Sequence, residues 1–113
     1  MDLFLPMRVR KVSFENRIVM APMVRFGMAV RDGVMGETLL CHYCTYANAG
    51  IGLAISQCLT VCASDDPRAL GAGTSGGAGA YDARHIPYLR QLADAFHAGG
   101  TRFFAQLGKG GYA

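Results

Sequence analysis

From Leu3 to Glu15 the chain alternates loosely: Leu3, Leu5, Met7, Val9, Val12 and Phe14 are apolar, whereas Arg8, Arg10, Lys11 and Glu15 are polar. A period near two predicts a short antiparallel hairpin turning near Arg10 to Ser13. The apolar run that follows, Ile18-Val19-Met20, is too brief for a helix and is closed by Pro22, which fits a buried parallel strand. Pro22 forces Ala21 out of the helical region. The strand therefore ends in a turn, and the backbone of Ala21, Met23 and Val24 faces whatever lies beyond its C-terminal end, where parallel α/β folds bind ligands.

The pattern then loosens from Val24 to Gly36, with Gly27, Gly33 and Gly36 and an Asp32-Gly33 turn signal, as in a long strand-to-helix loop. From about Glu37 to Asn48 the period is helical, and Leu39, Leu40, Tyr43, Tyr46 and Ala47 form one apolar stripe ended by Asn48-Ala49-Gly50. Gly52 to Val61 predicts a second strand in which Gln57 is the conspicuous polar group, serving either a ligand or neighbouring backbone. Residues 63 to 80 are a loop rich in Asp, Pro, Gly and Ser. Asp82 caps the next helix, with Ile86, Leu89, Leu92, Ala93 and Phe96 at helical spacing, Pro87 tolerated in its first turns, and Gly99-Gly100 at its end. His85 and His97 are expected at the surface. Arg102 to Leu107 predicts a third strand.

Composition alters this picture in one respect. A chain of 113 residues holds one small domain, yet it is 51% hydrophobic and only 17% charged. A small free-standing domain needs more polar cover, so this balance suits a piece of something larger. The net charge of +3 comes from scattered residues, which leaves no footprint for nucleic acid. With no signal-like N-terminus and no apolar run of membrane-spanning length, neither a membrane partner nor export is expected, and the protein reads as cytoplasmic.

Three motifs invite chemistry and are judged on context. Cys41-x-x-Cys44 and Cys58-x-x-x-Cys62 have the spacing of metal ligands, but the first pair falls in a helix and the second in or just past an apolar strand. Buried thiols acting as small hydrophobes are expected, with no metal. Gly71-Ala72-Gly73-Thr74-Ser75-Gly76 matches G-x-G-x-x-G, but a dinucleotide cradle must leave a strand and open a helix directly, and here Pro67 and other residues intervene. Lys109 between glycines lacks the Ser or Thr of a P-loop.

Leu3-Phe4, Pro6 and the run Asn16-Arg17-Ile18-Val19-Met20-Ala21-Pro22-Met23 resemble the opening of the Old yellow enzyme family of NAD(P)H:flavin oxidoreductases. Tyr43 to Ile55, with Ala49-Gly50-Ile51-Gly52-Leu53, is similar to that family's first helix and second strand, and Asp82 to Leu107 to its second helix and third strand. The resemblance implies an α/β fold: about three βα units and a leading β-hairpin, the N-terminal portion of an FMN-binding (β/α)8 TIM barrel. Residues 1–113 would be a partial barrel domain truncated after the third strand, whose isolated sheet offers an unpaired edge.

It also implies a site. Ala21, Pro22, Met23 and Val24 would pack along FMN, Cys58 would occupy a small-residue position beside the ring, and Gln106 would address the flavin pyrimidine edge. A primary amide can serve a donor and an acceptor there at once. The implied reaction takes a hydride from NAD(P)H and delivers it to a small electron-poor alkene; homo-oligomerisation of the intact protein stays open. This sequence departs from the family pattern at Val24, where many relatives carry Thr or Cys, at Phe26 for a tyrosine, at Lys109 for a histidine and at Tyr112 for an arginine, whereas Gln106, Leu107 and Gly111 match. No catalytic residue is assigned, because the family's substrate clamp, proton donor and phosphate loops lie after the third strand. The chain alone is expected to bind FMN weakly or not at all and not to turn over. Two alternatives stand: a tRNA-dihydrouridine synthase-like FMN barrel, from Met20 to Arg25 and Gly27, and a non-catalytic remnant acting by association.

Overall fold

The computed structural model describes residues 2–25, 30–63 and 77–109. The expected hairpin forms from β1 (Met7–Val9) and β2 (Val12–Phe14), antiparallel with Met7 opposite Phe14. Arg10 turns it at φ 53°. Phe14 is buried and meets Phe104 edge to face at 6.4 Å, and the Arg102 guanidinium donates to the Ser13 carbonyl at 2.9 Å. The hairpin is thus pinned to the strand formed by Arg102–Phe104.

Three parallel strands form the main sheet. β3 (Val19–Met20) and β8 (Arg102–Phe104) flank β6 (Leu53–Ile55), with Met20, Ala54 and Phe103 in one register row. Asn16 explains why the first of these strands sits where it does. Its amide donates to the Gly50 carbonyl at 2.7 Å while its side-chain oxygen accepts from the Ile18 N–H at 3.0 Å, clipping the approach to β3 against the approach to β6. Thr101 does the same on the other side, its hydroxyl donating to the Ile51 carbonyl at 2.7 Å.

Between β3 and β6 the chain forms β4 (Val30–Arg31), β5 (Val34–Met35) and helix α1 (Glu37–Ala47). The stretch expected to be a plain loop therefore contains a second hairpin. Its turn is the signalled pair, with Asp32 at φ 52° and Gly33 at φ 74°, the left-handed conformation that a two-residue hairpin turn requires. After β6 come β7 (Leu59–Thr60), a 3-10 turn (Ala83–His85), helix α2 (Ile86–Ala98), β8 and β9 (Leu107–Gly108).

Both helices pack on one face of the sheet. Leu39, Tyr43 and Ala47 of α1 and Tyr88, Leu92 and Phe96 of α2 are buried there, with Met20 and Phe103 partly buried against them. Phe96 stacks on Phe103 at 4.8 Å and meets Tyr43 edge to face at 6.3 Å. Burial of each such ring or Leu side chain contributes about 1.5–3 kcal/mol. The stripe of α2 departs from its periodic reading in its first turn: Ile86 is 54% exposed, and Tyr88 is buried in the core instead. On the opposite sheet face Val19 and Phe104 remain 48% and 44% exposed.

Candidate functional site

The three parallel strands all end on one side, and their exits are built differently. β6 does not run unbroken from Gly52 to Val61, nor β8 from Arg102 to Leu107. Each stops after three residues, bulges, and pairs again as β7 with β9. Ser56 organises the break: its N–H donates to the Phe104 carbonyl at 2.8 Å, and its hydroxyl oxygen accepts from the Gln106 N–H at 3.1 Å while donating to the Gln57 carbonyl at 2.8 Å. Nothing in the apolar pattern signals that bulge. A small buried hydroxyl between two strands is its only trace in the sequence.

The bulge sets the side chains named from the sequence. Gln106 is exposed, and its backbone is fully engaged, N–H to Ser56 and C=O to the Leu59 N–H at 2.8 Å. Its carboxamide has no hydrogen-bond partner among the described residues. Cys58 lies across from Gly108, where an added methyl would stand 2.5 Å from the Cys58 Sγ. The two exits are therefore in close approach, and a side chain at Gly108 would require the Cys58 thiol to turn away. Ala21 and Met23 are exposed, Met23 at 56%, and Pro22 and Val24 are half-buried. Among the described residues the N–H groups of Met23 and Val24 have no acceptor.

Gln57 joins the first exit to the second. It is fully buried, its N–H donates to the Tyr43 hydroxyl at 2.7 Å, and its side-chain oxygen takes a long 3.5 Å bond from the Arg25 N–H. Its side-chain nitrogen is buried with no partner among the described residues. One end of the amide thus serves backbone, and the other has no partner among the described residues. Burial pushes the Tyr43 phenol up, opposed by its bond from the Gln57 N–H, so Tyr43 is neutral at ordinary pH.

Cys58 and Gln106 stand directly before the paired strands β7 and β9, and Ala21–Val24 stand on the other side of β6. Among the described residues, the Met23 and Val24 N–H groups without acceptors and the Gln106 carboxamide without a partner stand at these ends, so a flat ring laid across them would meet donors and an acceptor for its polar edge. A groove of about 470 Å³ opens instead under the first hairpin, lined by Val9, Arg10, Lys11, Val12, Phe14 and Phe104, and none of the six candidate residues lines it.

Two expectations fail. His85 is fully buried rather than at the surface, while His97 is exposed as expected. The thiols are not uniformly buried: Cys41 is exposed, Cys44, Cys58 and Cys62 are half-buried, and all four are free. The described residues hold no cluster of three or more metal-ligating side chains. Phe26, Pro67, the Gly71–Gly76 motif, Gly111 and Tyr112 lie outside the described residues.

The family model for the NADH:flavin oxidoreductase / NADH oxidase family matches residues 2–113. The chain belongs to that family. Among its relatives is the NADPH dehydrogenase of a Geobacillus strain, 32% identical over 109 residues, covering 96% of this chain and 30% of the relative. The old yellow enzyme of Trypanosoma cruzi superposes with a TM-score of 0.75 at 27% identity, over 96% of this chain and 27% of that one. The old yellow enzyme homologue of Zymomonas mobilis gives 0.73 at 31%, over 95% and 28%. The chain thus spans about 30% of the length of the curated relatives it matches. Within the barrel fold of that family, β3, β6 and β8 are parallel strands of its N-terminal part, and the exits described above are their C-terminal ends. Among the described residues no helix is long and apolar enough to cross a membrane.

Proposed function

We propose that this chain forms the flavin-facing first part of a cytoplasmic, FMN-dependent NAD(P)H oxidoreductase that reduces activated C=C bonds. The observation that carries the reading is the exposed Gln106 carboxamide, held at the third strand's exit by backbone bonds on both sides and free of protein partners among the described residues. Bound FMN would supply the hydride relay between NAD(P)H and an electron-poor alkene.

The chain's own residues bind and orient. Gln106 offers a donor and an acceptor to the pyrimidine edge, so it fixes which way round the ring lies. Ala21, Pro22, Met23 and Val24 supply a close backbone edge, with the open Met23 and Val24 N–H groups as donors. Cys58 and Gly108 keep the second and third exits low enough for a flat ring. Val24 cannot hydrogen-bond through its side chain, so this chain tunes the flavin less than a Thr or Cys would. By the family resemblance, the substrate clamp and the proton donor for the alkene lie after the third strand. The isolated chain is therefore inactive in this reading.

The test grafts this chain onto the Geobacillus NADPH dehydrogenase in place of the matching residues and assays NADPH-dependent reduction of cyclohexenone. Turnover by the graft, with none by the isolated 113 residues, is expected. A correctly folded graft that binds no flavin and reduces no alkene leaves a non-catalytic role as the better account.

A further inference from the structure

His85 lies outside every residue assigned above, yet it is fully buried and all its polar capacity is used. Two backbone N–H groups point at its Nδ1, that of Asp82 at 3.2 Å and that of Tyr81 at 3.4 Å. Nδ1 is therefore an acceptor, and the ring proton sits on Nε2. Nε2 lies 3.0 Å from the Asp32 carbonyl, which can only accept. The partners settle the tautomer.

One half of this arrangement is ordinary. Asp82 accepts from the Arg84 N–H at 2.9 Å while His85 accepts from the Asp82 N–H, a capping box with an imidazole where Glu or Gln usually stands. The other half is not a cap. Asp32 is 53 residues away, at the turn of the β4–β5 hairpin, within the loop that follows the first barrel strand. The ring is wedged between two glycines: a methyl on Gly33 would stand 2.9 Å from Nε2, and one on Gly79 2.7 Å from the ring's Cε1. Gly79 in turn donates to the Gly33 carbonyl at 2.7 Å and accepts from the Tyr88 hydroxyl, and Ala78 and Ala80 on either side bond Thr60 of β7.

We propose that His85 is a positioning residue of the catalytic face. Its Nε2–H tethers the loop after the first barrel strand to the start of α2 and, through Gly79, to the extension of the second strand. Loops above strand ends carry substrate contacts in barrels, so this tether sets where the first of them stands. That consequence rests on the oxidoreductase reading; the tether itself does not.

A capping box wants an acceptor, and the tether wants a donor, so two substitutions separate them. His85→Glu keeps the cap and turns a carboxylate toward the Asp32 carbonyl. His85→Gln can supply both. Hydrogen exchange in the 113-residue chain, followed by NMR, is read at the Gly79 amide. Exchange roughly five- to tenfold faster in His85→Glu is expected for the loss of one supporting hydrogen bond, with His85→Gln within about threefold of the unmodified chain and helical circular dichroism retained in both. Should His85→Glu not fold, the unmodified chain decides: its His85 Nε2 must carry a slowly exchanging proton and its Nδ1 none. An Nδ1–H tautomer, a rapidly exchanging ring proton, or unchanged Gly79 exchange in a folded His85→Glu variant overturns the proposal. None of these readouts involves flavin or turnover, so failure here is distinct from failure of the oxidoreductase reading.

Discussion

Gly52→Ala tests the contact on which the parallel sheet depends. A methyl added at Gly52 would stand 2.3 Å from the Asn16 carbonyl oxygen and 3.0 Å from its side-chain oxygen, so the backbone at Asn16 must retreat by about an ångström. It has little room to do so. The Asn16 side chain is bonded at both ends, to Gly50 and Ile18, and the Ile18 carbonyl accepts from Gly52 and Leu53 at 3.1 and 3.2 Å. Overpacking against fixed backbone belongs at the upper end of its range, about 3 kcal/mol. Gly50→Ala is the control two residues away. Nothing lies within 4 Å of its added methyl, but its φ of +69° charges about 1–2 kcal/mol for the left-handed conformation. Urea unfolding followed by circular dichroism should therefore rank Gly52→Ala clearly below Gly50→Ala, with melting temperatures lowered by about 10–15 °C and about 4–8 °C. If Gly52→Ala is as stable as Gly50→Ala, the first two barrel strands do not approach as described.

Three further outcomes follow from the packing and the charges. Phe96→Ala removes a fully buried ring from contact with Phe103 and Tyr43 and should cost about 3–5 kcal/mol in the same urea titration, whereas Ile86→Ala, at an exposed position, should stay within about 0.5 kcal/mol. Gln57→Met removes a buried amide nitrogen that has no partner among the described residues, along with one long bond to Arg25, so its unfolding free energy should change by no more than about 1 kcal/mol in either direction. The Asp82 carboxyl is held below its ordinary value by the Arg84 N–H and then by the Arg84 guanidinium. A depressed carboxylate stabilises the fold above its unfolded value and loses that contribution as pH falls through its folded one; Asp82→Asn should flatten the acid arm of a stability-against-pH curve below about pH 4.

Much of the architecture was legible because periodicity is a packing signal. The apolar stripe of α1, the cap at Asp82 and the Asp32-Gly33 turn each encode a local constraint that survives in the folded chain. The short parallel strand before Pro22 was legible because proline stops the ladder wherever it occurs, but it is not buried as expected: Val19 faces the uncovered side of the sheet and is 48% exposed. What stayed hidden depends on partners distant in sequence. No local pattern tells that Ser56 breaks two strands at once, or that Asn16 clips one strand approach to another. His85 was misplaced because a lone histidine in a polar stretch looks solvent-bound, although Asp82-x-x-His85 already has the spacing of a capping box. Of the candidate site, the residue types came from family resemblance, and the structure adds their grouping: Cys58 and Gln106 stand directly before the paired strands β7 and β9, and Ala21–Val24 lie across β6 from them.

The central claim is that these three strand exits hold a flavin, with Gln106 turning the ring. FMN titration of the Geobacillus graft, read by flavin fluorescence with Gln106 intact and as Gln106→Leu, tests it directly. Loss of a paired donor and acceptor predicts roughly tenfold or greater weakening of the FMN dissociation constant in the leucine variant, with its fold unchanged. Equal affinity in both proteins would contradict the account.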